Sequence, residues 1–204
     1  MKIDIYQIAH SLKDRLPFIW RMVEKVNEWL FVARYGRIIR RSGVSDEIVA
    51  DGLAYRPLRE SDADSLVRFF GSQPEEAFVF FKPHAFDKET VLRLIRNRSY
   101  MAYGVFEGGE VVGYYFLRSF FMGKSYLGKM VDINHRGQGI GKHICKLSMD
   151  VATALGLHMY ETISKDNLSS LYSTQKVLDV KILKELPDNY LYIEDFPKGT
   201  LKLD

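Results

Sequence analysis

The first sustained pattern of apolar and polar positions lies near the N-terminus. Between residues 18 and 36, apolar side chains recur at three- and four-residue spacing, and charged side chains fill the gaps. This spacing predicts an amphipathic helix with one apolar stripe. Pro17 suits the first turn of the helix, and Gly36 suits its end. We expect the stripe to pack on the rest of the chain or on a second copy in a homodimer.

A change of pattern separates this helix from the remainder of the chain. Residues 40–52 mix charged side chains with glycine and show no sustained period, which is typical of a linker. We therefore predict two parts. Residues 1–52 form an N-terminal amphipathic helical extension with its linker, and residues 53–204 form the main domain.

Strand and helix patterns alternate through the main domain. They predict, in order, a strand at 53–58, a helix after Ser61, a helix after Asp87, a hairpin over 99–120, a strand ending at Ile133, a helix from about Gly137 to Leu155, a strand at 158–164, a helix at 167–177 and a closing pair of strands over 180–196. Because helices are interleaved early and a hairpin closes the chain, this order favours an α/β fold. Its mixed sheet would carry helices on both faces.

Composition and charge narrow the class of protein. Cys145 is the only cysteine, so no intrachain disulfide or cysteine zinc site can form, and a reducing, cytoplasmic location is expected. The first residues lack the apolar core of a signal peptide, and no apolar run is long enough to span a membrane. The net charge of +3 reflects a modest basic patch between Lys13 and Arg41. We therefore predict no nucleic-acid partner and no bound metal.

The most informative motif is a glycine-rich run between the strand ending at Ile133 and the long helix. It reads NHRGQGIGK, from Asn134 to Lys142. A turn of this kind presents several main-chain N–H groups at a helix N-terminus and so predicts a site for phosphate or pyrophosphate. A P-loop would need glycine at 136 and Ser or Thr at 143. A dinucleotide fingerprint would need glycine or alanine at 142 or 144. Neither spacing matches.

The run instead resembles the pyrophosphate-binding motif of the Gcn5-related N-acetyltransferases (GNAT): Arg or Gln, two residues, Gly, one residue, Gly or Ala. Residues 136–141 fit that motif, and the flanking strand and helix arrive in the order of the family. Further along, Asn167, Ser170 and Lys176 match a second family pattern. The resemblance covers residues 53–196.

The resemblance implies a GNAT-like mixed, mostly antiparallel sheet that is splayed between the family's strands 4 and 5, with helices on both faces. Acetyl-CoA, or another short acyl-CoA, would lie in that splay as co-substrate and acylate a primary amine directly. By position, the residues that would hold it are Val131, Ile133, Arg136, Gly137, Gln138, Gly139, Ile140, Gly141, Lys142 and Asn167. The first two would act through main-chain groups, and an N–H group near Val131 would polarise the thioester carbonyl.

Two carboxylates are the candidate catalytic residues. Glu161 shares a face with the apolar residues Met159 and Ile163 on a predicted central strand, and burial there would raise its pKa toward that of a useful base. Its alternative role is to pair with a nearby cation. Asp132 is the second candidate, because its strand would flank the thioester. The tyrosine that many relatives carry as the acid is replaced by Thr174, which leaves the acid unassigned.

Three functions remain open at this level. A small-molecule amine, such as an amino sugar, is favoured by the aromatic residues around 78–84. A protein N-acetyltransferase would need an open groove for a peptide. A domain without the usual acid would bind acyl-CoA as a regulatory module, and the basic helix at 18–36 would then lie on an anionic membrane. We disfavour membrane contact, because Trp20 and Trp29 fall on nearly opposite faces of that helix.

Overall fold

A computed structural model describes residues 17–201 of the chain, with side chains from Ile19 onward. The first sixteen residues of the predicted extension lie outside the described residues. The helices are α1 (Pro17–Ile39), α2 (Ala63–Ser72), α3 (Lys88–Arg96), α4 (Ile140–Leu155) and α5 (Leu168–Val177). The strands are β1 (Ile48–Ala50), β2 (Leu53–Pro57), β3 (Tyr100–Glu107), β4 (Glu110–Ser119), β5 (Lys124–Val131), β6 (His158–Ser164), β7 (Leu178–Leu186) and β8 (Tyr190–Pro197).

The strands form one eight-stranded sheet in the order β1-β2-β3-β4-β5-β6-β8-β7. Only β5 and β6 run parallel, and every other neighbouring pair is antiparallel. The predicted mixed, mostly antiparallel sheet is therefore confirmed. The predicted linker differs in one respect, because its residues 48–50 form β1 and pair with β2. A strand of three residues is too short to produce a detectable sequence period.

Helices cover both faces of the sheet, and alternation along each strand divides the apolar side chains between them. The face that we call the α2/α3 face holds Leu66, Phe69, Phe70, Val91, Leu94, Tyr114, Phe116 and Met130. The opposite face, which we call the α4 face, holds Phe31, Tyr35, Tyr115, Leu117, Leu127, Ile140, Ile144, Met149 and Met159. The predicted arrangement with helices on both faces is thus confirmed.

Helix α1 attaches to the domain through a different face from the one that its sequence pattern predicts. Phe31 and Tyr35 are buried in the α4 face, with 0% and 3% exposure. Asn27 Nδ2 donates to Ser99 Oγ at 3.2 Å and to the carbonyl of Ser119 at 3.0 Å. The predicted apolar stripe points away from the domain, so its expected packing on the rest of the chain is not observed. Within the described residues, no helix has the length and apolar character needed to cross a membrane.

Candidate functional site

The glycine turn, residues 134–142, connects β5 to α4 and has the backbone form of an anion site. Gly137 and Gly139 have φ values of +79° and +86°, a region that side chains disfavour. A Cβ atom at either glycine would meet no other atom within 4 Å, so the space in front of the turn is open. The main-chain N–H groups of residues 136–141 have no acceptor in the described part of the chain. They lie at the positive end of α4.

Helix α5 packs beside the glycine turn and closes one side of it. A Cβ atom on Gly141 would come within 3.3 Å of Ser173 Cβ, so this glycine serves the contact between the two helices. Lys142 Nζ lies 5.9 Å from the ring centroid of Tyr172. Asn167 begins α5, because its Oδ1 accepts a hydrogen bond from the N–H of Ser170 at 3.1 Å. The second sequence pattern thus anchors the helix that borders the turn.

Asp132 anchors the other side of the glycine turn. Its Oδ1 accepts from the N–H of Asn134 at 2.8 Å and lies 2.9 Å from His135 Nδ1, while its Oδ2 accepts from Gln73 Nε2 at 2.6 Å. Burial alone would raise the pKa of Asp132, but hydrogen bonds from Gln73 and His135 hold it below the usual aspartate value. The bond with Asp132 in turn raises the pKa of His135. A carboxylate with a lowered pKa is a weak base, so these contacts favour a structural role for Asp132.

The same network occupies one predicted contact to the co-substrate. The N–H of Ile133 donates to Gln73 Oε1 at 3.1 Å, and the residue lies in a short 3₁₀ turn after β5. Its N–H group is therefore already paired, which sequence reasoning could not detect because Gln73 is distant along the chain. The predicted role of Ile133 is not supported by this geometry.

The sheet opens between β5 and β6. These strands pair only from Lys124 opposite His158 to Tyr126 opposite Tyr160. Beyond that point they separate, and we call this position the fork. The resemblance predicted a splay between the family's strands 4 and 5, which correspond here to β5 and β6.

Main-chain groups on β5 line the opening beyond the fork. Hydrogen bonds at the ends of the β4–β5 ladder join the N–H of Phe120 to the carbonyl of Lys124 and the N–H of Asp132 to the carbonyl of Val112. Because antiparallel pairing alternates, even-numbered residues of β5 bond to β4. The odd-numbered residues Lys129 and Val131 therefore direct their N–H and C=O groups into the opening. The role predicted for Val131, a main-chain contact with the co-substrate, stays a prediction.

A buried polar cluster, formed by Lys129, Glu161 and Thr174, lies at the fork on the α4 face. Lys129 Nζ is 2.5 Å from Glu161 Oε2 and donates to Thr174 Oγ1 at 3.1 Å. Thr174 Oγ1 in turn donates to Glu161 Oε1 at 3.1 Å. Burial works against the charge on Lys129, but the adjacent Cys145 and Glu161 raise its pKa above the usual lysine value. The cluster therefore holds a hydrogen-bonded ion pair.

Sequence reasoning found Glu161 but missed its partner. Lys129 shares the parity of Leu127 and Val131 on β5, so its strand position already indicated an inward side chain. The position that carries the acid tyrosine in many relatives, Thr174, has 0% exposure and points into the same cluster. Thr174, the residue that departs from the family pattern, therefore contacts both members of the buried ion pair.

Asp195 on β8 adds a buried acid next to this cluster. Its side chain is 3% exposed, and neither carboxyl oxygen has a hydrogen-bond partner among residues 17–201. Burial, followed by the negative charge of Glu161, raises the pKa of Asp195 to about 9. At neutral pH this carboxyl group therefore keeps its proton.

The raised pKa of Asp195 predicts a pH-dependent stability. Unfolded aspartate ionises above about pH 3.9, so the folded state binds the extra proton from there up to about pH 9. Stability should fall as pH rises through this window, by at most about 1.4 kcal/mol per pH unit. Asp195→Asn mimics the protonated acid and should gain stability over the parent more at pH 8 than at pH 5. Urea unfolding at both pH values, with Asp188→Asn in an exposed turn as control, measures this. The same gain at both values would contradict a protonated Asp195.

The opposite face of the fork carries a tyrosine cluster, formed by Tyr126, Tyr160 and Tyr192. The ring centroids of Tyr126 and Tyr160 are 5.7 Å apart, and those of Tyr160 and Tyr192 are 5.6 Å apart. Burial is the main cause that raises the pKa of Tyr160 and of Tyr192, so their phenols stay protonated. Glu194 borders the cluster, with Oε1 3.0 Å from His158 Nδ1. The apolar core under α2 and α3 does not include these tyrosines.

The aromatic segment around residues 78–84 is divided between core and surface. Phe81 packs against the rings of Phe86 and Tyr114. His84 Nε2 lies 3.1 Å from the Tyr114 hydroxyl, and burial lowers the pKa of His84. Phe80, in contrast, is 40% exposed. Phe78, Phe81 and His84 are half-buried against the α2/α3 face, whereas Val79, at 59%, is exposed like Phe80.

Comparison with known proteins identifies the family. The model of the acetyltransferase (GNAT) family matches residues 64–176, which is more than half of the chain. The chain therefore belongs to the GNAT family of acetyltransferases, enzymes that use acetyl-CoA. No curated protein sequence matched the chain.

Solved structures with the same fold share little sequence identity with the chain. The GNAT domain of Streptomyces lividans PAT has a TM-score of 0.64 at 17% identity, over 75% of this chain and 97% of its own. The ribosomal-protein-S5-alanine acetyltransferase of Vibrio fischeri has a TM-score of 0.61 at 13% identity, and the match covers 77% of this chain and 99% of the Vibrio chain. AAC(6')-Ib, solved with paromomycin and acetyl-CoA, has a TM-score of 0.57 at 14% identity, and the match covers 72% of this chain and 94% of the AAC(6')-Ib chain. At such identities the likeness shows the fold.

Proposed function

We propose that the chain transfers the acetyl group of acetyl-CoA directly to the primary amine of a small molecule. One observation carries this proposal: the fork joins an anion-binding turn, an open strand edge, a buried ion pair and a cluster of tyrosines. These are the parts that amine acetylation needs. The turn would bind the co-substrate, the strand edge would hold its reactive end, the ion pair would assist proton transfer, and the tyrosines would bind the amine.

The glycine turn and the open edge of β5 fit the co-substrate. The free N–H groups of residues 136–141 would bind the pyrophosphate, with Arg136 and Lys142 adding positive charge. Val131 and Lys129 would pair through main-chain groups with the pantetheine arm, Lys129 taking the place of Ile133. When bound, the co-substrate supplies an activated acetyl thioester. An N–H group near Val131 would face the thioester carbonyl.

The polar cluster would take part in the proton transfers of the reaction. The ammonium form of the acceptor must lose a proton before its nitrogen can attack, and the departing sulfur must gain one. Glu161 is the proposed proton acceptor, acting through a water at the fork, because its side chain lies on the face opposite the tyrosine cluster. Thr174 lies where many relatives carry a tyrosine acid, and Lys129 donates to it. Lys129 keeps its charge because its pKa is raised, so we assign it the electrostatic stabilisation of the departing thiolate, which then takes its proton from water. Asp132 keeps the role of turn anchor.

The tyrosine cluster supports a small amine as acceptor. The three ring centroids lie 5.6 to 6.4 Å apart, and aromatic rings attract an ammonium group through their π-faces. Lys124 Nζ already lies 5.5 Å from the centroid of the Tyr160 ring. The carboxylate of Glu194 beside them adds charge attraction. An amine that carries a sugar or another flat apolar ring would also stack on these tyrosines. Amino sugars fit this description.

An amine panel tests the proposed acceptor. Purified chain with acetyl-CoA should release free thiol with small amines that carry a ring, and Tyr192→Ala should raise the KM for the best amine by about tenfold, the effect of one lost cation–π contact at a desolvated site. Acetyl-CoA affinity should not change. Tyr190→Ala, on the same strand and face but outside the cluster, is the matched control. Intact-protein mass spectrometry of a treated cell extract provides the second arm. Acetylated proteins without turnover of any small amine would overturn the proposal.

A further inference from the structure

The outer face of α1 exposes a row of apolar side chains. Its members, Ile19, Met22, Val23, Val26 and Trp29, are between 40% and 70% exposed. Their spacing places them on one side of the helix, opposite Phe31 and Tyr35, which pack on the domain. We propose that this outer face of α1 binds the surface of an anionic membrane.

The charged side chains of α1 are distributed as binding to an anionic membrane requires, with exposed cations and with acidic residues that face the domain. The C-terminal half of the helix and the two residues after it present four exposed cations: Arg34, Arg37, Arg40 and Arg41. Lys25, nearer the start of the helix, pairs with Glu28 at 2.9 Å. The acidic residues of α1 turn toward the domain. Glu24 lies 3.4 Å from Arg93 and from Arg118, and Glu28 accepts from the N–H of Arg98 at 3.1 Å. Cations that border an exposed apolar face, without exposed anions, match an anionic lipid surface.

The two tryptophans no longer oppose membrane contact. Trp20 donates to Glu24 at 3.1 Å, and its ring lies 5.7 Å from the Arg118 guanidinium, so it belongs to the face toward the domain. Trp29 is 70% exposed within the apolar row. The outer face of α1 therefore carries one tryptophan, a residue that favours the interface between lipid and water.

A second copy of the chain fits this face less well than lipid does. In a twofold dimer the outer faces would meet each other, and the cations of both copies would be brought together without acidic partners. Lipid headgroups would neutralise them. No helix among the described residues is able to span a membrane. Helix α1 would therefore lie flat, with its apolar row below the headgroups.

Vesicle binding by the full chain tests the proposal. Co-sedimentation with phosphatidylglycerol-containing vesicles should be strong, and binding to pure phosphatidylcholine vesicles should be weak. Trp29→Glu should weaken binding at least about tenfold through loss of the interfacial anchor. Arg37→Glu/Arg41→Glu should weaken it roughly 30-fold or more, given the attraction of each cation to an anionic surface. In a Trp20→Phe background, vesicles should shift the emission of Trp29 to shorter wavelength.

Matched variants separate lipid binding from general effects. Val49→Glu adds a charge at an apolar residue that is 70% exposed on β1, and Lys181→Glu/Lys184→Glu reverses two exposed cations on β7. Both should bind vesicles like the parent, and all variants should keep its melting temperature. Absence of binding to anionic vesicles would overturn the proposal. Sedimentation velocity that shows a dimer abolished by Val26→Glu would instead assign the face to a second copy.

Discussion

Glu161→Gln is expected to lower kcat by about 10² to 10⁴ while acetyl-CoA affinity stays near the parent value. The amide cannot accept a proton, and its volume is nearly that of the carboxylate. The co-substrate is held elsewhere, by the glycine turn and the edge of β5. Stopped assays of thiol release, normalised to folded protein, and titration calorimetry with acetyl-CoA measure the two quantities. A kcat near the parent value would remove Glu161 from the proton chemistry.

The ion pair with Lys129 complicates that single variant. Removing the charge of Glu161 leaves a buried ammonium group without its counterion, which costs about 3 to 5 kcal/mol of stability. The double variant Lys129→Met/Glu161→Leu avoids this cost, because replacing both members of a buried pair by apolar residues is often nearly neutral. If the pair serves folding alone, the double variant should be stable and active. We expect it to be stable and inactive.

The features read correctly from the sequence have local causes. Three spaced glycines between a strand and a helix specify the glycine turn, and the φ values of Gly137 and Gly139 follow from it. The strand at 158–164 was predicted with the bounds of β6, because Met159 and Ile163 share one face and the segment follows directly after Gly156 at the end of the long helix. Asn167 caps α5 by accepting a hydrogen bond from the N–H of Ser170, which is close to it in the sequence. Each of these features depends on residues that are close together in the sequence.

The features missed depend on partners that are distant along the chain. The N–H of Ile133 is occupied by Gln73, sixty positions away, and Glu161 is neutralised by Lys129 on another strand. Helix α1 has two apolar faces, and periodicity selects the longer stripe. The domain instead binds the face where Phe31 and Tyr35 fill its core. Which face packs is decided by the shape of the partner surface, which no local pattern records.

The glycine turn gives the second large expected effect. Gly139→Val places a branched side chain in the open space in front of the turn, where it would block main-chain N–H groups. The loss of two hydrogen bonds to a charged group, at about 1.5 kcal/mol each, predicts acetyl-CoA binding weaker by about 100-fold or more. Because valine is strained at a φ of +86°, Gln138→Glu provides a second variant at an exposed position. Its added negative charge should also repel the pyrophosphate.

Titration calorimetry of acetyl-CoA against the parent and these variants is the most direct test of the central claim, that the glycine turn anchors the co-substrate at the fork. The parent should bind, and both Gly139→Val and Gln138→Glu should bind much more weakly while keeping a cooperative melting transition. Thr153→Glu makes the same change of charge at an exposed position near the opposite end of α4 and should bind like the parent. Parent-like affinity in folded Gly139→Val and Gln138→Glu would contradict the account.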